Sequence, residues 1–459
     1  MSVEPRTVRA REVSYFDVGS SMFDVRCSVS MKALPIALLV PFCAMRASAA
    51  ESAFDPLLAL PNLWTLSQDD FQKATPTLPF QWTSAARDSA RAARPAMTLF
   101  GLPVVEAIAR FDANRLGTFT ANIYARGDAG NLTKERFDEL VKSAVAAITK
   151  ATGTKFTDRG KDQGNAVKAE GLLWKTDAAL YTLEYSFTKE VKTRGIPFRA
   201  EFVRLEITPP PKGVASLVGG SVGSLPRFDA KTHVQRDAAT GDVFIRDVPM
   251  VDQGQKGYCV VASTERVMRY YGASVDANEL AQIANSDAGG GTSYQGMIGA
   301  LKKVAARLKV RVREIEKLDV KDILALIKDY NRAAKKAGVS EIADPGRMID
   351  MGMIYGAMKA DVLRDVRTKN KSDLSRFQRA VAENADKGTP LLWTVHLGIL
   401  EDKTAMQTGG GHMRLIIGYN PKTNDILYSD SWGAGHELKR MSAVDAWTIT
   451  TGLTKIEPL

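Results

Sequence analysis

Apolar residues recur at helical spacing in residues 133–152, where Phe137, Leu140, Val141, Ala144, Val145 and Ile148 follow i, i+3, i+4 intervals. Gly153 stands where such a helix would end. The spacing predicts one amphipathic helix with a single face against a sheet. The sheet is predicted from residues 118–125, 166–175, 179–189 and 198–208, which are long and rich in β-branched and aromatic side chains. Consecutive strands there are expected to pair antiparallel, making residues 50–208 a self-contained α+β domain.

The pattern then breaks. Pro209-Pro210-Pro211-Lys212-Gly213, followed by Gly219-Gly220 and Gly223, carries no core-forming periodicity, so residues 209–240 read as a linker. Beyond it a helix is predicted from Cys259 to about Tyr271, with Gly272 behind it, and a second over 294–308. Residues 321–384 read as mainly helical. Strands follow at 391–397, 412–419 and 425–429, with a turn through Asn420-Pro421-Lys422-Thr423-Asn424. Helices first and sheet second predicts an α+β domain over 241–459. No internal repeat or low-complexity tract interrupts the chain.

The length of 459 residues and 45% hydrophobic content suit two domains with real cores. Residues 31–49 change the picture of where the chain works. Met31-Lys32, the apolar run 33–43 and Ala47-Ser48-Ala49 have the charged start, short apolar middle and small-residue cleavage site of a secretory signal. With Pro35, Pro41 and Arg46 the run falls far short of the ~20 apolar residues a spanning helix needs. The chain is therefore expected to be exported, to the periplasm or beyond, with no stable membrane insertion after cleavage. Residues 1–30 show no periodicity and read as an overextended start or a disordered leader.

Cleavage after Ala49 removes Cys27 and Cys43, so the processed chain is expected to hold Cys259 alone and no internal disulfide. It also removes six basic and four acidic residues, leaving 56 basic against 48 acidic, a net charge of +8. That excess is modest. Basic clusters such as Lys302-Lys303 with Arg307 and Lys309 fall on helix-like stretches and read as solvated faces, and no groove-reading motif accompanies them. Nucleic acid is not an expected partner. The four histidines are scattered and compose no zinc constellation, so neither metal nor organic cofactor is expected.

Thiol chemistry needs a thiolate, an imidazole to generate it and a third group to fix the imidazole's tautomer. Cys259 opens a helix, whose unpaired N–H groups favour a thiolate. Gly254 and Gly257 permit a tight turn before it, and Gln253 can offer an amide N–H to an oxyanion also held by the Cys259 N–H. His412 follows Gly409-Gly410-Gly411 at the start of a strand, whereas His233, His396 and His436 lack that setting. The hairpin turn at 421–424 would bring Asp430 beside His412, and Trp432 could shield their bond from water. Taken singly, each residue also has a plainer reading: a small buried hydrophobe for Cys259, a loop amide for Gln253, a turn or cap for Asp430.

Together these residues resemble papain-like cysteine peptidases. The resemblance rests on Gln253-Gly254, Gly257, Cys259 and Ser263, on His412 with Gly418-Tyr419 six residues later, and on Asp430-Ser431-Trp432-Gly433. Cys259 and His412 lie 153 residues apart, close to the roughly 130–150 of papain relatives. The resemblance covers about residue 243 to the end and implies a helical lobe and an antiparallel sheet lobe with the site between them. Asp430 replaces the family's asparagine, Val260 replaces a tryptophan and the disulfide cysteines are missing. The chain therefore looks like a distant bacterial branch, near the double-glycine leader peptidases.

The resemblance implies peptide hydrolysis by Cys259, His412, Asp430 and Gln253, on a peptide or protein substrate held near Gly290, Gly291, Gly411 and Trp432. Two other readings stay open: a thiol acyltransferase or transglutaminase-like crosslinker, and a non-catalytic peptide-binding module on the same frame. The N-terminal domain carries no catalytic cluster and is expected to recognise substrate or to cover the cleft as a pro-region, making the chain a zymogen.

Overall fold

The computed structural model describes residues 52–161, 167–210, 228–254, 257–273, 275–286, 294–346 and 349–459. The expected signal at 31–49, Cys27, Cys43, Gly290, Gly291 and most of the Pro/Gly stretch lie outside them.

The N-terminal region is built on the helix expected from the apolar spacing. It spans Lys134–Thr152, with the Thr133 hydroxyl accepting the Arg136 N–H at its start and Gly153 in the left-handed conformation at its end. Phe137, Ala144 and Ile148 sit in one core with Trp174, Leu183, Val203 and Leu205 from the sheet. The sheet has eight strands in the order Gln81–Trp82, Ser89–Ala92, Glu106–Asp112, Arg115–Ala125, Arg199–Thr208, Leu180–Thr188, Ala169–Lys175, Thr157–Lys161. Every pairing in it is antiparallel, as expected for the four long strands. Ser89–Ala92 and Glu106–Asp112 were not legible because alanine and charged residues dominate them.

The C-terminal region has a sheet ordered Val234–Arg236, Val243–Ile245, Gly410–Asn420, Leu391–Leu397, Thr450–Pro458, Val310–Lys317, with Asp425–Ser429 and Lys439–Ser442 added through Gly410–Asn420. The succession of helices first and sheet second is thereby corrected. Val243 pairs with Tyr419 and Val310 with Pro458, so strands from before and within the helical stretch join the sheet. Pairing also begins at residue 234, inside the span read as linker. Gly418 makes the first of these joins possible, since a Cβ there would lie 2.3 Å from the Val243 carbonyl oxygen.

One face of the sheet carries Leu392, Met413, Leu415 and Ile417 against the helices Cys259–Tyr270 and Tyr294–Val304. The other carries Trp393, Val395, Ile416 and Tyr428 against Phe377 and Trp447 of the helices Lys371–Ala385 and Ala443–Ile449. Among the described residues, the stretch expected to be helical contains the helices Val320–Ala337, Met351–Ala357, Ala360–Thr368 and Lys371–Ala385. The fold is α+β, a helical half and an antiparallel sheet half, preceded by the smaller α+β region. Among the described residues no helix is long and apolar enough to cross a membrane.

Candidate active site

Cys259 is the first residue of its helix, and the helix is held at two points on the sheet half. One turn on, Ser263 Oγ donates to the Met413 carbonyl at 3.3 Å, beside His412. Two turns on, the buried Arg266 guanidinium donates to the carbonyls of Pro249 at 2.8 Å and Asp430 at 2.9 Å, and to Ser429 Oγ at 2.6 Å. Burial pulls Arg266 down to about 10 against the nearby Asp430. The guanidinium thus ties the Cys259 helix to the end of the strand that leads into Asp430. In the full chain the Cys259 sulfur is engaged in a disulfide, so the lone thiol expected of a processed chain is not the state described. The other cysteines of the sequence, Cys27 and Cys43, are outside the described residues.

The segment before the helix is shaped by a local turn. Asp252 Oδ1 accepts the Gly254 N–H at 2.8 Å, and Gly254 has φ +64°, a conformation that favours glycine. Gln253 is buried between them and meets the residue after Asp430 twice. Its N–H donates to the Ser431 carbonyl at 2.9 Å, and its Oε1 accepts Ser431 Oγ at 2.7 Å. These two bonds fix the Gln253 loop to the segment that carries Asp430.

His412 and Asp430 come together as the hairpin predicts. The strands Gly410–Asn420 and Asp425–Ser429 pair antiparallel, and His412 Nε2 lies 2.9 Å from Asp430 Oδ1. An ionised Asp430 accepts there, which puts the proton on Nε2 and the lone pair on Nδ1. Nδ1 is buried and has no hydrogen-bond partner among the described residues. Trp432 stacks on the imidazole, with ring centres 4.4 Å apart and planes 16° from parallel. It covers one face of the imidazole.

Asp430 has two further partners that the sequence reading missed. Arg414 Nε donates to Oδ1 at 2.9 Å and Lys439 Nζ donates to Oδ2 at 2.9 Å, while another Arg414 nitrogen reaches Asp402 at 2.6 Å. Burial pushes the Asp430 carboxyl up, but Arg414, His412 and Lys439 outweigh it and hold the group well below the usual carboxylate range. Burial pulls His412 down; the Asp430 carboxylate opposes this, and Arg414 and Lys439 reinforce it. The imidazole is therefore held neutral. Arg414 was recoverable from strand alternation, since it lies two residues after His412 on the same face. Lys439 carries no such signal.

Gly411 is buried opposite His396, and its carbonyl accepts Gln407 Nε2 at 3.2 Å. His233 pairs with Asp247, and the His436 carbonyl accepts the Asp430 N–H. Among the described residues no three His, Cys, Asp or Glu side chains are grouped to hold a metal ion.

Residues 245–454 match the family model of the Peptidase_C39 like family. That match supports the papain-like resemblance of this region. The match contains Gln253, Cys259, His412 and Asp430 in the order on which the resemblance rests. Among solved structures the chain is similar to xylellain, a cysteine protease from Xylella fastidiosa, at 13% identity and a TM-score of 0.26, covering 51% of this chain and 90% of that one. Among proteins of curated function none matches.

Proposed function

We propose that the chain is an exported cysteine peptidase in which Cys259 is the nucleophile, His412 the acid and base, Asp430 its orienter and Gln253 an oxyanion donor. The observation that carries this reading is the contact of His412 Nε2 with Asp430, from which the tautomer follows. Asp430 takes Nε2, and Nδ1 remains as the one basic lone pair in a buried, covered setting.

With Cys259 reduced, its proton passes to Nδ1 as the sulfur attacks a peptide carbonyl. The carbonyl oxygen gains the negative charge and is held by the Cys259 N–H and the Gln253 amide. The imidazolium then gives its proton to the leaving amine, the C–N bond breaks and a thioester remains. Water, deprotonated by His412, cleaves the thioester and releases the acid.

The family match and the Gln253–Ser431 bonds support the reading. Export rests on the composition of residues 31–49 alone. The test is mass spectrometry of a denatured casein digest made under reductant by the wild type and by Cys259→Ala. Wild-type cleavage that the variant lacks is expected, and equal cleavage by both would overturn the assignment. Products heavier by an added amine would instead favour acyl transfer.

A further inference from the structure

The oxyanion loop of the papain-like region is gripped by an arginine from the N-terminal sheet. Arg91 lies on the strand Ser89–Ala92 and is mostly buried. Its Nε donates to Glu106 Oε1 at 2.6 Å, and one of its other nitrogens stands 3.5 Å from Asp252 Oδ2. Glu106 is itself fixed by Asn122 Nδ2 at 2.8 Å. The guanidinium also occupies the space beside Gly254, where a Cβ would meet Arg91 Nη2 at 2.7 Å.

These contacts run in series. Arg91 holds Asp252 by one carboxylate oxygen, and the other oxygen accepts the Gly254 N–H and closes the turn that carries Gln253. Gln253 is then bonded to Ser431, next to Asp430. The neighbouring loop is also approached from the N-terminal region, since Tyr258 packs so closely on Gly127 that a Cβ there would overlap its hydroxyl. Arg204 of the same sheet bonds Glu279 at 2.8 Å and pairs with Asp276, and Ile283 packs on Val167, Ala169 and Phe202.

We propose that Arg91 is a positioning residue for oxyanion stabilisation, so that the N-terminal region is an integral support of the site rather than a cover released by cutting. The inference rests on the cysteine peptidase reading above. A guanidinium can hold Asp252 and lie flat along Gly254 at once, which a flexible lysine does less well. Displacing Gln253 by a fraction of an ångström weakens its bond to the developing oxyanion without touching the thiol.

Two probes separate these effects on the reduced full chain. p-Nitrophenyl acetate transfers its acetyl group to the Cys259 sulfur, the ester C–O bond breaking and p-nitrophenolate leaving, and this passes through an oxyanion. Iodoacetamide alkylates the same sulfur with loss of iodide and forms no oxyanion. Arg91→Gln is expected to lower the acylation rate at least tenfold and to leave the alkylation rate within about twofold, as Gln253→Ala should. Gly254→Ala should do the same, and Arg91→Lys should recover part of the loss.

Unchanged acylation in Arg91→Gln would overturn the inference. So would a parallel fall in both rates, which would mean a merely structural role. Wild-type Cys259 inert to both reagents would instead sink the peptidase reading itself.

Discussion

Two buried histidines sit one register apart on paired strands, and the protein treats them in opposite ways. His412 pairs with Val395, His396 with Gly411, so their side chains leave opposite faces of the sheet. His412 meets an aspartate that is itself held by an arginine and a lysine, and it uses one nitrogen only. His396 is stacked on Tyr355 at 5.1 Å with neither ring nitrogen hydrogen-bonded among the described residues, and the Tyr355 hydroxyl is unpartnered as well. Burial pulls His396 down to about 4. Both rings are neutral near pH 7, but His396 is neutral through dryness alone. At His412 a carboxylate selects which nitrogen keeps the proton, and that choice makes the other nitrogen a base.

The largest expected effect breaks the charged side of the comparison. Asp430→Ala leaves Arg414 and Lys439 buried without their shared counter-ion and frees the His412 tautomer. Removing one member of such a buried network should cost about 3–5 kcal/mol. Urea unfolding checks the stability and peptide cleavage should fall to background. Tyr355→Phe, on the dry side, removes a hydroxyl with no partner and should be near neutral.

The next effect belongs to His396. Its folded-state value lies below the ordinary 6.5, so as pH falls from 6.5 the unfolded chain takes up a proton that the folded chain refuses. Stability is lost across pH 6.5 to 4, by about 3 kcal/mol at the lower end. His396→Phe should flatten that window in urea unfolding measured at pH 7 and pH 4.5. An equal slope in the variant would assign the acid sensitivity elsewhere.

A smaller effect concerns the tether between the halves of the site. Arg266→Met leaves the carbonyls of Pro249 and Asp430 and the Ser429 hydroxyl short of a donor, and should cost roughly 2–3 kcal/mol, read as a lowered midpoint in urea. Since Arg266 touches neither Cys259 nor His412 through a hydrogen bond, the residual folded enzyme should lose activity by displacement of the Asp430 segment.

The smallest is Lys439→Met. Lys439 helps to hold the His412 value down, so removing it should move the midpoint of Cys259 alkylation to higher pH. A midpoint that stays or moves down would show that Lys439 acts only through Trp432, whose ring lies 5.0 Å from its ammonium.

The residues proposed for the site each stand in a short local pattern. A glycine-flanked turn leads into the Cys259 helix, and a hairpin with an obvious turn carries His412 and Asp430. Strands were readable where β-branched and aromatic residues run together, as in Leu391–Leu397, found at the bounds expected. Val310–Lys317 was not, because its alternating charges sit on a sheet edge. The ion cluster around Asp430 and the Arg91 contact were not readable for a further reason. They depend on long polar side chains meeting across segments distant in sequence, and such side chains look the same whether they end in water or in a carboxylate.

The central claim is that His412 activates Cys259, and alkylation of the reduced chain by iodoacetamide across pH 4 to 10 tests it most directly, with His412→Ala beside it. The couple loses its first proton as one unit, so labelling should develop with a midpoint below pH ~6.5, and the variant should lose that phase. Labelling that rises only near pH ~8.5 and does so identically in both proteins would contradict the account.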